Sequence, residues 1–340
     1  MSKRHNDQWN RRKFLTTAAL AGTGAILGFP SEPSTAEPPP ETNRIRLVQA
    51  GGMCQAPKYV AEDSLRDEGF NEVQYIKKDT NLGNTMAVAA GEADISIQFS
   101  GPVLIHADGG SPIVMLSGVH IGCFELFATE NIRAVRDLKG KTVAVPVMGS
   151  PQHVFIASMV AYVGLDPKKD INWVTHPFVE AAQLLAQGKI DAYLGFPPEP
   201  QELRAKKIGH VVVNSMMDRP WSQYFCCMVI GNRDFVRKHP VATKRALRAI
   251  MKATDYCARE PERAARFLVD KGYTKNYDFA LQTMKDMHYA QWRDFDPEDT
   301  IRFYALRLHE VGMIKTSPNK LIAQAGNWRF FRELKKELKT

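Results

Sequence analysis

The chain has 340 residues and a formal charge of +8, with 44% hydrophobic and 24% charged residues. That is globular composition, sized for one large or two medium domains. The positive charge sits partly in the N-terminal tail and in Lys335-Lys336-Glu337-Leu338-Lys339, so it makes no case for a nucleic-acid partner.

The first segment reads as an address. Asn10-Arg11-Arg12-Lys13-Phe14-Leu15-Thr16 precedes a weakly apolar run to Phe29, and Ser34-Thr35-Ala36 supplies a small-x-small cleavage pattern. This resembles a twin-arginine export signal, although a Sec signal also permits two arginines. The run is too short and Gly-rich to span a membrane. Removing residues 1–36 takes away five Lys/Arg and two Asp/Glu, so the charge falls from +8 to +5. Residues 37–42, with Pro38-Pro39-Pro40, are expected to form an extended tether.

The mature part alternates strands and helices. Strands are expected at Ile45–Ala50, Val73–Ile76, Asp94–Phe99, Pro112–Val119, Cys123–Ala128 and Thr142–Val147. Further strands are expected at Ile171–Val174, Asp191–Phe196, His210–Val213 and Tyr224–Ile230. Helices are expected at Ala56–Leu65, Thr85–Ala90, Ile132–Leu138, after His153 to Gly164, at Val179–Gln187 and from Pro200 to Lys207. Beyond Asn232 the chain reads as helical: 234–238, 241–258, 261–271, 300–311 and 328–338. Such alternation argues for an α/β fold built on parallel sheets. One stretch repeats: Ala89–Pro102 aligns without a gap with Ala186-Gln187-Gly188 and onward, at an offset of 97, matching Ala, Gly, Asp and Phe at 89/186, 91/188, 94/191 and 99/196. Chance similarity and a pair of like lobes both remain readings of this echo.

The five cysteines, Cys54, Cys123, Cys226, Cys227 and Cys257, form neither a C-x-x-C pair nor a Cys/His array, which argues against a zinc site. Adjacent Cys226 and Cys227 do not fit disulfide geometry, so buried free thiols are expected.

The motifs Ile45-Arg46-Leu47 with Ala56-Pro57-Lys58-Tyr59-Val60-Ala61, Ala90-Gly91-Glu92-Ala93-Asp94-Ile95, Asp137-Leu138-Lys139-Gly140-Lys141-Thr142-Val143-Ala144-Val145, Gly188-Lys189-Ile190-Asp191-Ala192 and Phe235-Val236-Arg237-Lys238-His239-Pro240 carry a resemblance in their order and spacing. Over residues 43–340 the chain resembles periplasmic solute-binding proteins of the nitrate/sulfonate/taurine group, the NMT1/THI5-like family. The resemblance implies a type II periplasmic-binding-protein fold: two α/β lobes, 43–123 with 230–340 and 124–229, joined by two crossing strands. A hinge would close on a ligand in the cleft.

Ligands of open α/β sheets collect where strands end and helices begin. That rule points to the loops 51–55, 80–84, 100–102, 149–153, 176–178 and 197–199. The candidate contacts are Gly52, Gln55, Asn84, Ser100, Gly149, Ser150, Phe178, Phe196, Glu199, Trp221 and Tyr224. The serines supply hydroxyls, Gln55 and Asn84 amides, and the aromatics could stack on a planar ligand or simply pack. Glu199 could cap the helix near Pro200 or accept from a ligand N–H, which tilts the site toward an amine-bearing or neutral compound. No cofactor and no metal is expected.

By the resemblance, the chain is a non-enzymatic solute receptor, a monomer that hands a small organic or oxyanionic solute to an ABC permease and its ATPase. The alternative is a pyrimidine synthase of the same fold group. Such enzymes carry an Asn-His pair where this chain reads Cys54-Gln55, and a cysteine-rich run that Cys226-Cys227 does not match.

Overall fold

In the computed structural model, residues 37–339 are described. The export signal expected at 1–36 lies outside them. Contacts divide the chain after Pro38, and the compact unit beginning at Pro39 carries every described strand and helix.

Among the described residues, ten strands form two five-stranded sheets. The first contains β1 (Arg44–Gln49), β2 (Glu72–Lys77), β3 (Ile95–Phe99), β4 (Ile113–Ile121) and β10 (Phe225–Asn232), in the order β2-β1-β3-β10-β4. The second contains β5 (Glu125–Ala128), β6 (Lys141–Val145), β7 (Ile171–Thr175), β8 (Ala192–Gly195) and β9 (His210–Asn214), in the order β7-β6-β8-β5-β9. In each sheet four strands run one way, and a single reversed strand, β10 or β5, fits between two of them. Parallel strands follow from helical crossovers. The reversed strands are those that the chain reaches by passing between the sheets, through 122–124 and through 215–224.

The order is the same in both sheets if β1, β2 and β3 are matched with β6, β7 and β8. The sequence echo therefore has a structural counterpart. Asp94 and Asp191 stand just before β3 and β8, and each carboxylate accepts the backbone N–H of its neighbouring strand, Arg46 and Thr142, both at 2.8 Å. Each aspartate N–H donates in turn to the carbonyl of the same residue. Gly91 and Gly188 close the preceding helices with φ of 74° and 67°, a conformation that costs glycine least.

Strands read as apolar runs where both faces are covered. All residues of the central β3 and β10, and of the edge strand β4, are buried. Burying side chains such as Leu47, Ile97 and Val229 contributes about 1.5–3 kcal/mol each. Between the two sheets the rings of Phe99, Phe155 and Tyr304 pack edge to face, with Phe99 centroid distances of 5.4 and 5.1 Å.

Several expectations need correction. The loop expected at Ser100–Pro102 is the first turn of a helix, Ser100–Asp108; proline is tolerated there because first-turn N–H groups have no intrahelical partner. Ala56–Leu65 is two short helices, Pro57–Val60 and Glu62–Asp67. Of the segment expected as strand at Cys123–Ala128, only Glu125–Ala128 pairs. Helices at Tyr277–Asp286 and Pro318–Ala325 were not expected at all. The stretch read as a tether docks: Glu41 accepts the N–H groups of Val241 and Ala242 at the start of the helix Pro240–Arg259. Among the described residues, no helix is long and apolar enough to cross a membrane.

Candidate functional site

A cavity of about 360 Å³ lies between the two sheets, at the ends of their parallel strands. Gly51 and residues 79–82 line it from the first sheet; Pro146, Val147, 150–152, Pro177, Phe178, Phe196 and Glu199 line it from the second. Four helices begin at its wall: Asn81–Ala89, Pro151–Tyr162, Phe178–Ala186 and Glu199–Lys206. Thr80 caps the first through a bond from Gly83 N–H, and Ser150 caps the second through one from His153 N–H. Helix N-termini carry partial positive charge and unpaired N–H groups, so together they favour oxygen-rich or anionic ligands.

Glu199 changes the electrostatics from what the sequence suggested. Its Oε2 accepts from the Tyr193 hydroxyl at 2.9 Å and from Phe196 N–H at 3.3 Å. Burial among these groups nevertheless pushes the carboxyl up to about 8, so near neutral pH it carries its proton. A protonated Glu199 donates a hydrogen bond and does not repel an anion. The exposed Asp79 is the other acidic side chain in the lining, and among the described residues neither lysine nor arginine lines the cavity.

The two sheets meet beside this cavity. Met53 N–H donates to the Pro197 carbonyl at 2.9 Å. Gly52, at φ 114°, lies so close to the Phe196 ring that a Cβ there would stand 2.9 Å from its Cε2. Along the helix Glu199–Lys206, Arg204 bridges the buried Glu125 and Asp286, the latter at 2.9 Å, and Gln201 donates to Asp286 at 3.1 Å. Asp286 belongs to the helix Tyr277–Asp286, which the sequence reading had missed.

Of the expected contacts, Ser150, Phe178, Phe196 and Glu199 come together in the lining, with Gly52 at its edge. Gln55 and Asn84 lie underneath: Gln55 bonds the Asn81 side chain at 3.1 Å, and Asn84 bonds Gln55 and the Ile97 carbonyl. They hold the loop and do not line the cavity. Ser100 is fully buried with its hydroxyl unpartnered, and Gly149 donates its N–H to His153 Nδ1 at 3.1 Å. Trp221 and Tyr224 fall elsewhere, packed on Phe303 with centroids 5.5 and 4.0 Å away. Phe303 belongs to the helix Pro297–Glu310, expected at 300–311, and sequence does not show that this helix packs on Trp221 and Tyr224.

Asn81 and Gln152 line the cavity without having been singled out. Their signal was their place beside the N-caps Thr80 and Ser150. His153 is buried and stays neutral, held down to about 4 by burial. Lys58 is fully buried beneath the loop, donates to Gln55 Oε1 at 2.5 Å, and is pushed down to about 7 by burial.

All five cysteines are buried and free, as expected. What their spacing concealed is convergence: Cys54, His120, Cys123 and Cys227 gather with their ligating atoms within 4.8 Å of one another. Cys226 Sγ also stands 3.0 Å from Cys123 Sγ. Hydrogen bonds from Cys123, Cys226 and Cys54 hold the Cys227 thiol well below its ordinary range. Spacing along the chain spoke against a Cys/His array; strand pairing assembles one in three dimensions.

The family model described as NMT1/THI5 like matches residues 55–264. A bicarbonate-binding protein, CmpA, of Synechococcus elongatus is 30% identical over 113 residues, which cover 33% of this chain and 25% of that protein. The 4-amino-5-hydroxymethyl-2-methylpyrimidine phosphate synthase THI5 of Saccharomyces cerevisiae is 25% identical over 224 residues, 62% of each chain. The chain thus spans a quarter of the first curated relative and under two thirds of the second. Among solved structures, the periplasmic nitrate-binding protein NrtA of Synechocystis PCC 6803 superposes with a TM-score of 0.74 at 16% identity, covering 89% of this chain and 90% of that one. The alkanesulfonate-binding protein SsuA of Xanthomonas axonopodis pv. citri, bound to MOPS, gives 0.66 at 15%, covering 85% and 99%.

Proposed function

This chain belongs to the NMT1/THI5-like family, and from that footing we propose that it is the solute-binding component of an ABC import system. It works outside the cytoplasm, exported by a twin-arginine-type signal in residues 1–36. One lobe is 43–123 with 230–340, the other 124–229, and a hinge at the crossings closes them on a small solute. The closed form docks on a permease whose ATPase drives uptake. Binding occurs without chemistry.

The observation that carries this reading is the cavity between the sheets, ringed by four helix N-termini, with the Glu199 carboxyl, pushed up to about 8, at its wall. That chemistry suits a small solute presenting an oxyanion or carbonyl oxygens, such as nitrate, bicarbonate or a short sulfonate. The related proteins CmpA, NrtA and SsuA are described as binding solutes of this kind. The preference for an amine that an ionised Glu199 would confer is thereby withdrawn.

A thermal-unfolding screen of nitrate, bicarbonate, alkanesulfonates and amino-pyrimidines tests the reading. The right solute stabilises the protein by about 2.7–4.1 kcal/mol at 100–1,000 times Kd. Turnover of any of these compounds, or stabilisation by none, overturns it.

A pH series checks Glu199. With nitrate or a sulfonate, whose charge does not change, affinity should fall about tenfold, ~1.4 kcal/mol, as pH rises through 8. The sign follows from the raised carboxyl: below 8 its proton is offered to the anion, above 8 its charge repels it. In Glu199→Gln the amide keeps the donor, so calorimetry should find a flat profile. A profile that stays steep in this variant assigns the titration elsewhere.

A further inference from the structure

Beneath the solute cavity, the structure gathers a second set of groups that the transport reading does not use. Cys54 comes from the loop after β1, Cys123 from the segment between the sheets, His120 from β4 and Cys227 from β10. His120 and Cys227 are directly paired partners across the two antiparallel strands, which is why residues so distant in sequence meet. We infer that Cys54, His120, Cys123 and Cys227 bind one thiophilic metal ion, of the Zn(II) or Cu(I) kind, at the floor of the cleft.

The imidazole is set for ligation. His120 Nδ1 lies 2.9 Å from the Gly122 carbonyl and 3.2 Å from that of Ile121. A carbonyl only accepts, so Nδ1 carries a hydrogen, and in the neutral ring, the form that binds metal, Nε2 keeps its lone pair. Nε2 is fully buried and has no hydrogen-bond partner among the described residues. A backbone carbonyl fixing the tautomer of a ligating histidine is the usual outer-shell arrangement of a metal site.

Size and charge agree. A tetrahedral site with metal–sulfur bonds of about 2.3 Å has sulfur–sulfur edges of about 3.8 Å, so atoms already within 4.8 Å need small side-chain movements only. A cavity of about 10 Å³ borders the three thiols; it has room for an ion or one water and none for an organic solute. Each thiol that ligates releases its proton to solvent. Zn(II) with three thiolates and a neutral imidazole carries one net negative charge, and the buried Lys58 lies close enough to Cys54 and Cys227 to interact with them electrostatically. Buried charge of this kind needs such a counter-ion. Soft thiolates with imidazole in a tetrahedral set select zinc or cuprous copper over calcium or magnesium.

The test uses the full chain, reduced, stripped with a chelator and kept anaerobic. Titration with Co(II) should saturate at one ion per chain, with thiolate-to-metal charge-transfer absorption and the strong visible bands of a tetrahedral site. Zn(II) should displace it, and a parallel Cu(I) titration against a cuprous chelator shows which ion is held more tightly. Cys54→Ser, Cys123→Ser, Cys227→Ser and His120→Ala should each lower affinity at least tenfold, while Cys257→Ala leaves it unchanged. Should a variant fail to fold, the unsubstituted chain still decides: one equivalent of metal must raise its unfolding midpoint. Absence of a saturable spectrum together with an unmoved midpoint, or bands that persist in all four variants, overturns the inference. The metal site stands apart from the solute reading, since a chain without transport activity would still give the cobalt spectrum.

Discussion

Replacing Gly52 by alanine should weaken solute binding by about tenfold to a hundredfold, or ~1.4–2.8 kcal/mol. Two costs combine. The φ of 114° at this position is one that side-chain-bearing residues adopt only under strain of order 1–3 kcal/mol. The new methyl would also stand 2.9 Å from the Phe196 ring, an approach that no relaxed Cβ shows. Relief comes by moving the loop 51–55 away from Phe196, which also breaks the bond from Met53 N–H to the Pro197 carbonyl. The effect should therefore appear mainly as lost closure. Calorimetry would report weaker binding, and small-angle scattering with solute would report a larger radius than for the parent. Adding Phe196→Ala to Gly52→Ala removes the clash but leaves the backbone strain, so it should recover part of the loss. Unchanged affinity and radius in Gly52→Ala would show that this contact is not a clasp.

Arg204→Ala should destabilise the folded protein by about 3 kcal/mol at neutral pH, because it leaves Glu125 buried without its counter-ion. Glu125 is 1% exposed, and its second oxygen already lacks a partner. Burial pushes its carboxyl above the usual range, and Arg204 pulls it back. Without the guanidinium the folded-state value rises further while the unfolded value stays put. The penalty is then absent at acid pH, where both states are protonated, and grows as pH rises through neutrality. Urea unfolding at several pH values measures this directly. Arg204→Met combined with Glu125→Gln should regain most of the stability, since removing both partners leaves no uncompensated charge. Asp286→Ala, by contrast, removes a partly exposed partner and should cost under about 1 kcal/mol. An equal loss for Asp286→Ala would show that the Asp286 pair, and not the buried Glu125, carries the stability.

Much of the architecture was legible because the parallel strands are buried on both faces and punctuated by glycine, as at Gly91 and Gly188. The like order of the two sheets was legible in the echo alone, through Asp94 and Asp191, since a carboxylate latching one strand to the next must recur wherever the unit recurs. Short elements escaped. The helix Ser100–Asp108 was hidden by Gly101-Pro102, a pair that reads as a loop; Tyr277–Asp286 followed an Asn276 cap that was passed over. The site was legible as a set of loops, because strand ends fix where it must lie. Individual contacts were not: Trp221 and Tyr224 depend on where Phe303 packs, and the raised carboxyl of Glu199 depends on burial that appears only in the folded chain. Convergence of Cys54, His120, Cys123 and Cys227 follows from strand pairing, which no local pattern encodes.

The position of β10 bears on the order in which the chain assembles during synthesis. All strands of the second sheet lie between residues 125 and 214, so it can complete itself as soon as that stretch has emerged. The first sheet cannot. The slot between β3 and β4 stays vacant until Asn232 has been made, leaving two apolar strands with unpaired edges facing one another. Such edges are templates for pairing with other chains. A ribosome stalled shortly before β10 would thus present a sticky intermediate, and one stalled shortly after it a chain whose edges have been sealed.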